Sequence, residues 1–150
     1  MTRYRLGTLV PNLRRYARLM TGEQVIADRV VLGALAAARP PMSGGLMYRL
    51  MLFRAVTGAL AEASLSGRPR LTSIAMDEAR TGPALAAAAC ALPFIERAVL
   101  GLVAVEEFSE GEAAAILKMP GELVSRCLAS ALDRLAPAPQ VDAPREMSLA

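Results

Sequence analysis

The 150-residue sequence has no histidine and no tryptophan, and only three tyrosines, three phenylalanines and two cysteines. Without histidine, the usual zinc ligand and the commonest general base are both missing. Cys90 and Cys127 lie too far apart for a metal-ligand spacing and are expected to be reduced, packed thiols. No glycine-rich phosphate loop precedes a lysine, and no acids cluster with a base partner, so neither an enzyme nor a bound cofactor is expected. Long apolar runs are lacking too. The stretch 81–95 carries no charge, but it contains Pro83 and Pro93 and falls short of the ~20 residues that span a bilayer. The N-terminus scatters Arg3, Arg5, Arg14 and Arg15 where a signal peptide would need an unbroken apolar core. These absences predict a cytoplasmic protein with no membrane association.

What is present is alanine, leucine and methionine. With 54% hydrophobic residues and 4% aromatics, the composition favours helices packed through small and flexible side chains, in one ordinary core or two small ones. Charge divides the chain. Residues 1–80 carry twelve arginines against five acids, a net +7, whereas residues 81–150 carry five bases against nine acids, a net −4. Such a split suits two lobes that attract each other or clasp a partner of mixed charge.

Helical spacing fills in the lobes, and no alternating apolar pattern argues for a strand. Leu9, Val10, Leu13, Tyr16, Ala17 and Met20 fall on one face of a first helix, with Arg14, Arg15 and Arg18 largely opposite. Thr21-Gly22-Glu23-Gln24 reads as a capping box, with Thr21 as N-cap, that opens a second helix running to about Ala38. Arg39-Pro40-Pro41 closes that helix. A third runs from about Gly45 to Leu65 with Leu46, Leu50, Phe53 and Leu60 as its stripe. Residues 1–65 therefore form one helical lobe and 66–82 a linker. In the second lobe, 83–136, a helix from Pro93 to about Glu107 offers Ile95, Val99, Leu102 and Val103 to a core. A second capping box, Ser109 to Glu112, starts a short helix through Leu117. Lys118-Met119-Pro120-Gly121 makes the turn of a helix-turn-helix, and the last helix ends at Leu135. Residues 137–150 read as a flexible tail. The fold class is all-α, two small lobes.

Leu92-Pro93, Arg97, Leu100, Leu102, Glu106, Phe108, Ser109, Glu112-Ala113-Ala114, Ile116-Leu117, Ser125-Arg126 and Leu128 keep residue type and spacing over nearly the whole second lobe. This pattern resembles region 4 of extracytoplasmic-function sigma factors. Pro11-Asn12-Leu13-Arg14-Arg15-Tyr16-Ala17-Arg18, Leu19, Thr21-Gly22 and Ala27-Asp28, with Tyr48-Arg49-Leu50 and Phe53-Arg54, is similar to region 2 in the sigma-like domain of PhyR-type general stress response regulators. The resemblance implies a domain that mimics a sigma factor and sequesters a NepR-like anti-sigma factor, so that the real sigma factor is released. In that group a receiver domain controls the exposed surface. No strand-rich segment follows Leu135, so the resemblance implies either a receiver that is separate or deleted, or a stand-alone mimic.

Several departures weigh against promoter reading. The second helix has Val30-Val31-Leu32-Gly33-Ala34 where sigma factors carry a polar, acidic polymerase-binding stretch. From Leu92 to Leu135 the net charge is −3, although phosphate binding draws on Lys and Arg. Lys118 stands where most relatives have glycine, so either it takes a positive φ at a cost of about 1 kcal/mol or the turn has changed shape. The expected partner-binding residues are Val31, Met47 and Met51 in the first lobe and Phe108, Leu123 and Cys127 in the second. Glu106, Glu107 and Glu110 are expected to meet basic residues of the partner. The alternative is a functional sigma factor binding core RNA polymerase and promoter DNA, for which Ser125 and Arg126 would be the DNA contacts.

Overall fold

The computed structural model describes residues 6–38, 45–65 and 88–136, and no strand occurs among them. The expected linker 66–82 and tail 137–150 lie outside the described residues. The first helix, α1 (Leu6–Thr21), buries the expected face, with Leu9, Leu13, Tyr16, Ala17 and Met20 each at most 5% exposed. It ends at Gly22, whose φ of +70° suits a residue without Cβ and whose amide donates to the Arg18 carbonyl at 2.7 Å.

The expected box at Thr21 does not form. Thr21 is the last residue of α1, and its hydroxyl lies 2.9 Å from the Ala17 carbonyl while accepting the Glu23 amide at 3.2 Å. Helix α2 (Gln24–Ala37) starts after Glu23 with no side-chain cap, because the hydroxyl is engaged in the turn that leaves α1. Ala27, Val31 and Ala34 form its buried face.

Helix α3 (Leu46–Leu65) turns Phe53 and Leu60 inward as expected, but joins them with Leu52 and Val56 rather than with Leu46 and Leu50. Leu52, Phe53, Val56 and Leu60 are buried, whereas Leu46 is exposed and Leu50 only half-buried. Each fully buried side chain of this size contributes about 1.5–3 kcal/mol relative to exposure. Thr57 is the polar member of this face. Its hydroxyl donates to the Phe53 carbonyl at 2.7 Å, so the Tyr16 hydroxyl, 2.9 Å away, donates to Thr57. Burial holds the Tyr16 phenol well above its usual pKa.

In the second lobe, residues 88–91 are helical and lead through Leu92 to α4 (Phe94–Leu100). Helix α4 widens into a π turn over Gly101–Val105. Then come α5 (Glu110–Leu117) and α6 (Gly121–Leu135), the helix-turn-helix pair. Here the capping box does form: the Glu112 amide donates to the Ser109 hydroxyl at 3.1 Å, and the Ser109 amide to the Glu112 carboxylate at 2.8 Å. Lys118 keeps the left-handed turn, φ 54° and ψ 45°, so the chain retains the turn with a strained backbone rather than reshaping it. Of the residues expected to face inward from α4, Val99 and Leu102 are fully buried and Val103 partly, but Ile95 is 42% exposed.

One apolar cluster runs through both lobes. It contains Leu13, Tyr16 and Phe53 from the first and Val99, Leu102, Phe108, Ile116 and Val124 from the second. A smaller cluster of Leu92, Leu100 and Ala131 joins α4 to α6.

Candidate protein-binding surface

The lobes meet where α3 packs on α5 and where α1 packs on α4 and the π turn, with the loop after the π turn between them. Gly101 makes the approach possible: a Cβ there would lie 3.0 Å from side-chain atoms of both Tyr16 and Leu19. The π turn adds one residue per turn, and the Glu106 amide accordingly closes on the Gly101 carbonyl at 3.0 Å. Glu107 then takes a positive φ of 58°, and Phe108 enters the core with its amide on the Leu102 carbonyl at 3.0 Å.

The centre of this seam is an aromatic series capped by charge. Tyr16 and Phe53 rings lie 5.5 Å apart, and Phe53 and Phe108 4.9 Å apart edge to face. The Arg49 guanidinium sits 3.8 Å from the centre of the Phe108 ring and donates to the Glu106 carbonyl at 2.5 Å. The Glu106 carboxylate has no exposed side-chain surface, and Arg15 grips it with two parallel bonds of 2.9 and 3.0 Å. This bond raises the Arg15 pKa. Farther along, Arg97 reaches from α4 to the Met20 carbonyl at 2.8 Å and to the Leu92 carbonyl at 2.8 Å, and it also bonds the Cys90 carbonyl. Burial lowers the Arg97 pKa. Arg14, by contrast, pairs within the first lobe, with Asp28 at 2.7 and 2.8 Å.

The residues expected to bind a partner fall into two sets. Val31 and Phe108 are each 2% exposed and belong to the core, so they are not surface anchors; Val31 packs inward because α2 turns Ala27, Val31 and Ala34 together onto α1 and α3. Glu106 is likewise taken up by Arg15 and is not available to basic residues of a partner. Met47 (68% exposed), Met51 (48%) and Leu123 (40%) are on the surface, as are Glu107 and Glu110. Cys127 is a free thiol, half-buried against the core. Met47 and Met51 lie one turn apart on the outer face of α3, which continues through Arg54, Ala55 and Gly58. Spacing alone did not bring out Arg15, Arg49 and Arg97. The available signal was that Arg49 and Phe53 stand one helical turn apart, the separation at which a guanidinium and a ring share a face.

The helix-turn-helix presents acid outward. Ser125 and Arg126 are exposed on α6, but the Ser125 hydroxyl donates to the Glu110 carboxylate, and Glu122 occupies the first turn. Arg134, the other arginine of α6, pairs with Glu96 at 3.3 Å. No described helix is long and apolar enough to cross a membrane.

Residues 6–57, most of the first lobe, match the family described as the Sigma2 domain of PhyR. The fold as a whole is sigma-like. It is similar to the sigma factor RpoE of Bartonella quintana, solved in complex with the anti-sigma factor NepR, with a TM-score of 0.76 and 22% identity over 92% of this chain and 96% of that one. The anti-anti-sigma factor PhyR of the same organism, also solved with NepR, gives a TM-score of 0.59 and 23% identity over 87% of this chain and 49% of that one; this chain thus spans about half the length of that PhyR. The PhyRSL–NepR complex of Sphingomonas sp. Fr1 gives a TM-score of 0.63 and 29% identity, covering 87% of this chain and 83% of that one. No curated protein matches the chain by sequence.

Proposed function

We propose that this chain is a sigma-factor mimic of the general stress response, an anti-anti-sigma protein that binds a NepR-like anti-sigma factor in the cytoplasm and does no chemistry of its own. Partner binding is supported by the match of the first lobe to the Sigma2 domain of PhyR and by the sigma-like neighbours, each solved with NepR. The observation that carries mimicry over promoter reading is the outer face of the helix-turn-helix. A promoter reader gains affinity from arginine and lysine at phosphates and base edges. Here Ser125 is bound to Glu110, Arg134 to Glu96, and Glu122 stands at the start of α6, where it would meet phosphate. The exposed face of α3, with Met47 and Met51, offers an apolar helix of the partner two anchors one turn apart.

A second reading, a sigma factor that engages polymerase and promoter itself, has the fold likeness to RpoE behind it. Calorimetry against NepR proteins, those of Bartonella quintana and Sphingomonas sp. Fr1 included, separates the two when run beside a gel shift with core polymerase and promoter DNA. Mimicry predicts a stoichiometric complex with the anti-sigma protein and no salt-resistant shift. A sequence-specific shift that survives moderate salt establishes the sigma-factor reading instead.

A further inference from the structure

Charged side chains at a helix seam are costly to bury, and in some proteins they are retained because they fix an arrangement that apolar packing alone leaves under-determined. This seam already has Tyr16, Phe53, Phe108 and the close approach at Gly101. It nevertheless buries the Glu106 carboxylate completely and spans it with Arg15 from α1, while Arg49 from α3 bonds the carbonyl of the same residue. One residue of the second lobe is thus held from two helices of the first, by groups whose geometry is strict. A bidentate guanidinium–carboxylate pair tolerates little rotation, and a guanidinium stacked 3.8 Å above a ring tolerates little sliding. Apolar contacts along the same seam would tolerate both. The strained backbone at Glu107 and the π turn before it keep Glu106 at this point rather than on the solvent side of α4.

We infer that Glu106 is a positioning residue for partner binding: clasped by Arg15 and Arg49, it fixes the angle between the two lobes and so assembles in advance the surface that the anti-sigma protein reads. The inference rests on an anti-sigma protein being the partner. Over 92% of its length this chain follows the fold of RpoE as solved with NepR, at a TM-score of 0.76, so a partner of that kind is expected to meet both lobes in a similar arrangement. When only a fraction of the unbound molecules holds the competent angle, the apparent affinity falls by that fraction. The loss appears in the association rate, because the complex, once formed, holds the lobes through the partner.

The test is surface-plasmon kinetics of the full chain on immobilised NepR, with Arg15→Gln, Arg15→Lys and Glu106→Gln beside the parent chain. Arg15→Gln strands the buried carboxylate, whereas Arg15→Lys keeps a positive charge beside it and Glu106→Gln removes the buried charge itself, so these two keep the test readable if Arg15→Gln does not fold. Arg15→Gln is expected to slow association on the order of tenfold with an unchanged dissociation rate, and Arg15→Lys, which keeps the charge but loses the fork, by an intermediate factor. Melting curves are taken on the same samples. Variants that melt earlier yet associate at the parental rate would reduce the clasp to a stabilising contact and overturn the inference, leaving the partner assignment standing. Faster dissociation at an unchanged association rate would overturn it too, by making Arg15 a direct contact. A parent chain that binds no NepR overturns the partner assignment itself.

Discussion

The outer face of α3 and the seam on its inner side contrast in what they do with polar and apolar groups. Outside, Met47 and Met51 leave apolar surface in water. Inside, a carboxylate is buried with two arginines around it. Surface that a fold leaves apolar can change without unfolding the protein, whereas a buried charge that loses its partner cannot be accommodated cheaply. The outer face is therefore where a partner can be recognised, and the seam is where the architecture is fixed.

The sharpest way to break the contrast is at Glu106. Glu106→Ala removes the acceptor of two charge-assisted bonds and leaves a hole in the buried seam, and it is expected to lower stability by about 3 kcal/mol, seen as an early midpoint in urea. Met51→Asp should do the reverse. It should weaken binding to the anti-sigma protein by about 2 kcal/mol with a nearly unchanged melting curve, as for a surface hot spot; a collapsed curve would return Met51 to the core.

Two helix starts that look alike in sequence give the next comparison. Ser109→Ala is expected to cost about 1 kcal/mol, since it removes half of a capping box. Thr21→Ala removes no cap from α2 and should cost less. Chemical denaturation of the pair decides whether the difference is real. The smallest effect is a gain: Lys118→Gly relieves a left-handed lysine and is expected to stabilise by up to about 1 kcal/mol, measurable as a higher melting temperature.

These comparisons also mark how far the sequence could be read. The stripe of α1 was legible because its arginines lie opposite its apolar residues, so the helical period shows. Helix α3 is apolar nearly all round, and its period says little about which side faces in: Leu52 and Val56 took the core while Leu46 stayed outside. The box at Ser109 was legible as a local pattern, but the same pattern at Thr21 gave way to the turn that ends α1. The resemblance carried the sigma-like fold, and the acidic helix-turn-helix carried the argument against DNA. Among the surface residues named, Met47, Met51, Leu123, Glu107 and Glu110 stand exposed; Val31, Glu106 and Phe108 do not, because their burial comes from packing between elements. The clasp itself joins Arg15 to a residue 91 positions away, a pairing that no local period encodes.

The central claim is that this chain relieves an anti-sigma factor rather than reading a promoter. It is tested most directly by transcription in vitro from a stress promoter, with polymerase and its sigma factor silenced by NepR and this chain then added in increasing amounts. Mimicry predicts that transcription returns as the chain titrates NepR, and that the chain with core polymerase alone yields no transcript. Transcript from core polymerase and this chain without any other sigma factor would contradict the account.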